Sequence, residues 1–228
     1  MRIAEIFYSI QGEGRLAGLP SVFIRTSGCN LRCVWCDTPY TSWNPEGEEW
    51  TVQEILGEVR RYPSPFVVIT GGEPLIARGI EDLAAGLKQK KRHITIETAA
   101  TIFKPVVCDL VSMSPKLAHS TPWKREQGKF ARIHEGQRLN FGVIRDFIDR
   151  YDYQLKFVVE EKKDFAEIRG ILRRLKNVDP SHVLVMAQAR TKRELRARAP
   201  GLIDLCKSHG FRYSPRLHID LYGNRRGT

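Results

Sequence analysis

Three cysteines lie within eight residues of this chain, at Cys29, Cys33 and Cys36. A tight loop with this Cys-x3-Cys-x2-Cys spacing can direct three sulfurs toward one centre. A structural zinc site normally takes four protein ligands, and no second Cys or His pair lies nearby at zinc-finger spacing. Three thiolates suit a [4Fe–4S] cluster that leaves one iron without a protein ligand. The spacing therefore favours an iron–sulfur cluster open to chemistry, with structural zinc as the alternative.

A second candidate site is the sequence Thr-Gly-Gly-Glu-Pro at residues 70–74, which directly follows the apolar run 66–69. Glycines let backbone carbonyls approach a ligand closely, and the Glu73 carboxylate can complement an ammonium group. Ligands of parallel α/β proteins gather at the carboxyl ends of strands, where this segment is predicted to lie. The alternative is an ordinary turn with a proline at the start of a helix.

The elements that must position these groups alternate between short β-branched runs and segments with helical spacing. The predicted strands are residues 22–24, 66–69, 94–96, 106–111, 155–159 and 183–186. Helical faces follow a capping box at Thr51–Glu54 and recur at 80–87 and 165–175. Such alternation predicts an α/β fold with a parallel sheet and crossover helices. Residues 28–50 and 117–138 do not fit the pattern and are predicted as long loops, and no linker divides residues 1–228, which we expect to form a single domain.

Composition supports a globular protein of 228 residues with a formal net charge of +11. Residues 1–100 carry a net −1 and residues 101–228 a net +12, so an anionic partner such as nucleic acid is an open alternative. No apolar run is long enough to span a bilayer, and an acid near the N-terminus argues against an export signal. We therefore expect a reducing, cytoplasmic setting, where clustered cysteines are ligands rather than disulfides.

The cysteine loop, with Trp35 before the third cysteine, and the Thr-Gly-Gly-Glu-Pro segment resemble the radical S-adenosylmethionine (SAM) superfamily. The segment Glu-Ile-Phe-Tyr-Ser-Ile-Gln-Gly-Glu-Gly at 5–14 is similar to the 7-carboxy-7-deazaguanine synthase family of that superfamily, which serves queuosine and deazapurine synthesis. The resemblance continues through Cys-Asp-Thr at 36–38, Ile-Glu-Thr at 96–98, Ser-Pro-Lys at 114–116 and Ser-Pro-Arg-Leu-His at 214–218, and so covers nearly the whole chain.

This resemblance implies a reduced, partial (β/α)6-type radical SAM barrel and a homodimer. It implies a carbon–nitrogen lyase that converts 6-carboxy-5,6,7,8-tetrahydropterin to 7-carboxy-7-deazaguanine with loss of ammonia. A 5′-deoxyadenosyl radical would abstract hydrogen at C6, the ring would contract, and SAM would be regenerated. The implied cofactors are a [4Fe–4S] cluster, SAM and Mg²⁺, with an electron donor such as flavodoxin or ferredoxin as partner.

The resemblance also implies roles for individual residues. Cys29, Cys33 and Cys36 would ligate the cluster, and Thr38 would bind Mg²⁺. The implied substrate contacts are Ile10, Gln11, Gly12, Glu13, Arg25 and Thr70, and the implied SAM contacts are Gly72, Glu73, Ser114, Pro115 and Lys116. The alternatives are structural: an ion pair for Arg25, turn positions for Gln11, Glu13 and Ser114–Lys116, and a helix or turn cap for Thr38.

Two other functions remain open from the residues. A glycyl-radical-enzyme activating protein shares the cysteine loop and the Gly-Gly-Glu-Pro motif, but does not need the Gln-Gly-Glu-Gly context at 11–14. A zinc-stabilised nucleic-acid-binding protein would explain the basic second half. Against it, the basic residues are spread over predicted helix surfaces without interleaved aromatic residues. We therefore expect neither a membrane nor direct nucleic-acid partner.

Overall fold

A nine-stranded sheet forms the framework of the computed structural model, which describes residues 1–228. The strands are β1 (Arg2–Ile10), β2 (Pro20–Thr26), β3 (Glu48–Glu49), β4 (Phe66–Gly71), β5 (His93–Thr98), β6 (Leu110–Met113), β7 (Tyr153–Val159), β8 (Val183–Ala187) and β9 (Arg212–Tyr213). Their order is β3-β1-β2-β4-β5-β6-β7-β8-β9. All pairs from β2 to β9 are parallel, whereas β1 pairs antiparallel with β2 and β3.

Eight helices accompany the sheet, and most of them connect successive parallel strands. They are α1 (Pro39–Ser42), α2 (Val52–Val59), α3 (Ile80–Gln89), α4 (Ala131–Gln137), α5 (Phe141–Arg150), α6 (Asp164–Leu175), α7 (Lys192–His209) and α8 (Leu217–Tyr222). Short 3₁₀ segments occur at Pro74–Ile76, Ala118–Ser120, Arg125–Gly128 and Pro180–His182. No helix is long and apolar enough to cross a membrane.

Alternation along the strands separates the core from a second, polar face of the sheet. In β2, Val22 and Ile24 are fully buried within a 37-residue apolar core that also contains the inward faces of α2, α3, α5, α6 and α7. The neighbours Phe23 and Arg25 point the other way and line a cavity. Because successive strand residues face opposite sides, the same alternation places Lys156 on the cavity side of β7 between the core residues Leu155 and Phe157.

The structure confirms the α/β prediction: a mostly parallel, open sheet with flanking helices, as in a partial barrel. The Thr51 capping box is present, with the Glu54 backbone donating to the Thr51 side chain and the Glu54 carboxylate accepting from the Thr51 backbone. The predicted helices over 80–87 and 165–175 correspond to α3 and α6.

One strand was missed and three expectations need correction. Residues 28–50 are not one loop, since they contain α1 and β3. The antiparallel strand β1 was not predicted, because half-buried residues interrupt its apolar pattern. The strand predicted over 106–111 begins only at Leu110, since Asp109 instead turns its side chain to accept from the Ile94 backbone at 2.8 Å. Residues 117–138 are not one loop but two 3₁₀ segments followed by α4, in which Ala131 and His134 are buried.

Candidate active site

A cavity of about 430 Å³ lies at the carboxyl ends of the parallel strands. Its floor is formed by residues near the ends of β2, β4, β5, β6, β7 and β8, and its walls by the cysteine loop and by residues 10–13, 216–218 and 224–228. Polar groups from distant parts of the chain meet here because the carboxyl ends of parallel strands share one edge. The cavity is therefore the candidate active site.

The cysteine loop is held against the end of β4 by glycine backbone. The Gly72 amide donates to the Thr26 carbonyl at 3.2 Å, and the Glu73 amide donates to the Gly28 carbonyl at 3.0 Å. A Cβ atom on Gly72 would overlap the Gly28 carbonyl, and one on Gly71 would overlap the backbone of Thr26. Both glycines are thus required for the close approach of two backbones that orients the cysteine loop.

All three cysteines of the loop line the cavity as free thiols. The Leu31 amide donates to the Cys29 sulfur at 3.3 Å, and the Ser42 hydroxyl donates to the Cys36 sulfur at 3.2 Å. Burial raises the pKa of the Cys29 thiol to about 12 and also raises the pKa of Cys33. These thiols are neutral until a bound metal displaces their protons, since metal coordination favours the thiolate.

The donor set fits an iron–sulfur cluster better than a single ion. No three or more His, Cys, Asp or Glu side chains are grouped closely enough to hold one metal ion. In a [4Fe–4S] cluster, by contrast, each thiolate binds a different iron, so the three sulfurs need not converge on one point. Amide and hydroxyl donors to two of the sulfurs are the hydrogen bonds expected around cluster thiolates.

Glu73 lies behind the cavity wall rather than in it. Its fully buried carboxylate accepts from the Thr98 hydroxyl at 2.8 Å and from the Ala99 and Leu75 amides at 2.9 and 3.2 Å. Burial raises its pKa, and these hydrogen bonds oppose the rise. With its oxygens taken by three donors, Glu73 joins the ends of β4 and β5 and does not face a ligand directly.

Ser114 and Lys116 reach the cavity from the loop after β6, whereas Pro115 between them does not line it. The Lys116 ammonium donates to the Ser114 hydroxyl at 2.8 Å and lies 5.9 Å from the centre of the Trp35 ring. Trp35 in turn donates to His119 at 2.9 Å. A cation and an aromatic ring thus flank the thiols on this side.

Glu13 lines the same cavity and is enclosed by cations. Lys156 donates to its carboxylate at 2.6 Å and Arg216 at 2.9 Å, while Arg216 also pairs with Asp37 at 2.6 Å. Burial alone would raise the pKa of Glu13, but the charges of Lys156 and Arg216 outweigh it and hold the pKa well below its usual range. Burial alone would lower the pKa of Lys156, but the negative charges of Glu13 and Glu97 outweigh burial and raise it. This network is fully ionised.

Glu97 links that network to two neutral side chains. Its carboxylate accepts from Gln11 at 3.3 Å and from the Thr70 hydroxyl at 3.0 Å, and lies 3.5 Å from the Lys156 ammonium. Gln11 also accepts from the Glu13 amide at 3.1 Å. Amide, hydroxyl and carboxylate groups are therefore presented together at one wall, as recognition of a heterocyclic edge requires.

Arg25 forms the remaining wall. Its Nε donates to Glu5 at 2.6 Å, and the Tyr40 hydroxyl donates to the same carboxylate oxygen at 2.7 Å. The ion pair considered from the sequence is thus present, but it occupies only one nitrogen of the guanidinium. The two terminal nitrogens make no hydrogen bond to the protein, so Arg25 retains a planar fork that suits a carboxylate.

Thr38 precedes α1 and lines the cavity beside the cysteine loop. Its side chain makes no hydrogen bond that caps the helix, in contrast to the structural alternative considered from the sequence. The hydroxyl accepts from Thr41 at 3.3 Å and lies 3.8 Å from the Cys36 sulfur. An oxygen atom with spare acceptor capacity is therefore available there.

Most of the residues singled out from the sequence therefore meet in one cavity; the exceptions are Glu73 and Pro115. Sequence reasoning missed Glu97, Lys156 and Arg216 as site residues. Lys156 carries a signal that would have found it, because it is a lone charge within the β-branched run 155–159. A charge in a strand buried on every residue needs a specific partner.

Proteins of known family with similar sequences support the radical SAM assignment suggested by this geometry. The model of the Radical SAM superfamily matches residues 23–119. The 7-carboxy-7-deazaguanine synthase of Rhodopirellula baltica is 44% identical over 227 residues, which cover 99% of this chain and 88% of that protein. The chain belongs to the 7-carboxy-7-deazaguanine synthase family. The family's protein from Halobacterium salinarum is 42% identical over 236 residues, covering 99% of this chain and 92% of that protein.

Solved structures show the same fold. The crystal structure of QueE from Escherichia coli matches with a TM-score of 0.68 and 24% identity, over 93% of this chain and 92% of that one. Membership of this radical SAM family implies SAM and a [4Fe–4S] cluster as cofactors. The recognition made from the sequence is confirmed, and neither the activating-protein nor the zinc-stabilised alternative is favoured.

Proposed function

We propose that this chain is the carbon–nitrogen lyase that converts 6-carboxy-5,6,7,8-tetrahydropterin to 7-carboxy-7-deazaguanine with release of ammonia. One observation carries the proposal: a single cavity is lined both by the three cysteines of the loop and by an ionised, amide-bearing wall. The relatives that cover nearly the whole chain bear the matching name. A pterin carboxylate needs such a polar wall, and hydrogen abstraction needs a cofactor site facing it.

The cofactors would be bound on the thiol side of the cavity. When bound at Cys29, Cys33 and Cys36, the cluster with SAM supplies the radical that removes hydrogen from C6 of the substrate. The proposed SAM contacts are Gly72, Ser114 and Lys116, which line the cavity. Glu73 would act through the Thr98 and Ala99 groups that it positions, and Pro115 through the loop that presents Ser114 and Lys116. Lys116 supplies positive charge where the carboxylate of an amino acid can pair with it.

The substrate would be bound on the charged side. Arg25 pairs through its free terminal nitrogens with the carboxylate, and Gln11, Glu13 and Thr70 read the pterin edge. Ile10 and Gly12 line the cavity beside these residues, at the carboxyl end of β1. Lys156 and Arg216 form ion pairs with the Glu13 carboxylate before any ligand binds. The three side chains therefore need not reorganise when the substrate binds.

We further propose that Thr38 contributes to a Mg²⁺ site. The Thr38 hydroxyl is uncommitted to helix capping, and the half-exposed Asp37 carboxylate adjoins it at the cavity. Magnesium prefers oxygen ligands and retains waters, so one hydroxyl with substrate oxygens suffices to place it. A Thr38→Ala enzyme should then need a higher Mg²⁺ concentration for half-maximal activity, whereas a Thr41→Ser control should not.

We further propose a domain organisation, an oligomeric state and a cellular location for the protein. Residues 1–228 act as one radical SAM domain, which the continuous sheet supports. The enzyme is a homodimer that receives electrons from a carrier such as flavodoxin or ferredoxin. It works in the cytoplasm, where reducing conditions keep its cysteines available as ligands.

The deciding experiment is an anaerobic turnover assay. The reconstituted protein is incubated with SAM, Mg²⁺, dithionite and the carboxytetrahydropterin, and the products are identified by mass spectrometry. Formation of 7-carboxy-7-deazaguanine, with less than one SAM consumed per product, is the expected result. Cleavage of SAM without any deazaguanine would refute the substrate assignment.

A further inference from the structure

Trp35 is the aromatic residue that borders the thiol side of the cavity. Of the two residues between Cys33 and Cys36, Trp35 lines the cavity and Val34 does not. The Lys116 ammonium lies 5.9 Å from the centre of the indole ring. Trp35 therefore borders the space in which SAM would be bound. An indole has two rotatable side-chain bonds, so its orientation on a loop depends on what the ring contacts.

His119 holds the polar edge of the Trp35 ring. The indole N–H donates to Nδ1 of His119 at 2.9 Å, and the two ring centres lie 5.5 Å apart with 27° between their planes. The indole nitrogen donates and cannot accept, so Nδ1 must be the unprotonated nitrogen of a neutral imidazole. The proton is then on Nε2, which donates to the Val158 carbonyl at 3.1 Å.

The His119 ring thus joins two parts of the chain that are far apart in the sequence. Trp35 belongs to the cysteine loop, whereas Val158 lies near the carboxyl end of β7 and lines the cavity. The His119 side chain is 11% exposed, so both hydrogen bonds are largely shielded from water. Because each partner uses a different ring nitrogen, the imidazole is a rigid spacer between the loop and the sheet.

Two acidic side chains lie beyond the hydrogen-bonded nitrogens of His119, and both have other partners. Glu160 lies 3.4 Å from Nδ1 and is also 3.8 Å from Arg198. Asp164 lies 3.6 Å from Nε2, but its carboxylate accepts from two backbone amides at 2.8 and 3.0 Å. The two hydrogen bonds of the imidazole are shorter than either distance to an acid. The geometry therefore favours a neutral ring that orients the indole over an ion pair.

We propose that His119 is a positioning residue for the cofactor site, which fixes the Trp35 indole at the thiol side of the cavity and so raises the affinity for SAM. His119 does not line the cavity, so it acts through Trp35. An indole that is already held in place loses little rotational freedom when a ligand binds against it, and affinity rises accordingly. The inference rests on the proposed placement of SAM and not on the identity of the substrate.

The test compares variants of the reconstituted holoenzyme. His119→Leu removes both ring nitrogens, whereas His119→Asn keeps an oxygen one bond beyond Cγ, as Nδ1 is, that can accept from the indole. Trp35→Phe removes the indole N–H and is made alone and with His119→Leu. The matched control is His209→Ala, which removes a half-buried histidine of α7 outside the cavity. Equilibrium dialysis measures the Kd of SAM, normalised to the iron content of each protein.

A second readout needs neither cluster nor turnover. Ultraviolet resonance Raman difference spectra between each apoprotein and its Trp35→Phe counterpart isolate the Trp35 band that reports hydrogen bonding of the indole N–H. The band should show a hydrogen-bonded indole in the wild type and in His119→Asn, and a free one in His119→Leu. If His119→Leu loses iron, His119→Phe replaces it in the dialysis, because phenylalanine keeps an aromatic ring and lacks the acceptor.

We expect His119→Leu to raise the Kd of SAM by about 3- to 10-fold, as for the loss of one shielded hydrogen bond, and to change kcat at saturating SAM by less than about twofold. His119→Asn and the His209→Ala control should bind SAM within about twofold of the wild type. In the Trp35→Phe background, His119→Leu should add less than about twofold, because the contact that it removes is already absent.

An unchanged Kd in His119→Leu, equal losses in His119→Leu and His119→Asn, or a free indole in the wild-type Raman spectrum would overturn the proposal. So would a loss of the same size in the Trp35→Phe background, because His119 would then act independently of the indole. Failure of the proposed function looks different: the wild-type enzyme would bind SAM and make no deazaguanine. SAM affinity and product analysis therefore separate the two conclusions.

Discussion

The two sides of the cavity are built in opposite ways. The thiol side consists of Cys29, Cys33 and Cys36 on a loop held by glycine backbone, and burial raises the pKa of the Cys29 and Cys33 thiols. The charged side consists of Glu13, Glu97, Lys156 and Arg216, whose charges compensate one another before any ligand binds.

The difference shows that the charged side is organised by its own ion pairs, whereas the thiol side is completed by its cofactor. Ionised side chains fixed by mutual hydrogen bonds need no reorganisation when a polar substrate arrives. Desolvated thiols gain their charge only from a metal, so the thiol side is completed by its cofactor. Removing a thiol should therefore abolish chemistry, whereas removing a charge should damage the folded protein and substrate affinity in graded steps.

The largest effect is expected from Cys33→Ala. Loss of one of three cluster ligands should reduce both SAM cleavage and turnover to background, and iron and sulfide content should fall with them. Cys108→Ala is the matched control, because Cys108 does not line the cavity. A Cys33→Ala protein that still cleaved SAM would contradict the cluster assignment.

On the charged side, Lys156→Met should destabilise the fold by about 1–3 kcal/mol, because it removes the cation shared by the partly buried carboxylates of Glu13 and Glu97, while Arg216 still pairs with Glu13. Urea unfolding of the apoprotein measures this loss. Adding Glu13→Gln to Lys156→Met removes one of the stranded charges and should recover part of the stability. Additive losses in the double variant would show that the two side chains are not coupled.

Arg25→Ala should affect the substrate more than the fold. Losing the fork that pairs with the carboxylate should lower kcat/KM by about 10–100-fold, mainly through KM, while some uncoupled SAM cleavage continues. Glu5→Gln is the control that keeps the terminal nitrogens of Arg25 and should cost less. Full catalytic efficiency in Arg25→Ala would disprove the carboxylate contact.

The smallest effect concerns His134, which accepts from the Arg32 amide beneath the cysteine loop. Burial lowers the pKa of His134 to about 4. The unfolded chain therefore binds a proton between pH 6.5 and about 4 that the folded chain does not. Stability should fall by about 1–2 kcal/mol as the pH drops from 6.5 to 5, and reach its plateau below about 4.

His134→Gln removes this titration, so its stability should depend less on pH in the same window. The pKa of His218 is also lowered by burial, which is why the difference between the two proteins, not the wild-type slope alone, is the measurement. Equal pH slopes in wild type and variant would contradict the role of neutral His134.

The two sides also differed in how far the sequence predicted them. The thiol side is local: Cys29–Cys36 and residues 70–74 are short motifs, and a strand end joins them. The charged side is assembled over long separations, since Glu13 meets Lys156 and Arg216 143 and 203 residues away. The spacing of residues along the sequence carries no information about such contacts. They follow only from the order of the strands in the sheet and from which face of β7 points into the cavity.

The fold was predicted most completely where one periodicity dominates, as in β4 and α3. It was missed where tertiary contacts replace periodicity. Residues 118–138 have a polar, basic sequence, yet single residues such as His134 and Ser120 anchor them to the cysteine loop. Composition alone cannot distinguish such an anchored segment from a mobile loop, because the anchors are isolated residues.

The central claim is that radical chemistry at a cysteine-bound cluster and recognition of a polar substrate occur in one cavity. It is tested most directly by anaerobic incubation of the reconstituted enzyme with SAM, Mg²⁺, dithionite and a carboxytetrahydropterin deuterated at C6. The account predicts 7-carboxy-7-deazaguanine together with deuterium in SAM or 5′-deoxyadenosine. Deazaguanine without deuterium transfer, or SAM cleavage without deazaguanine, would contradict it.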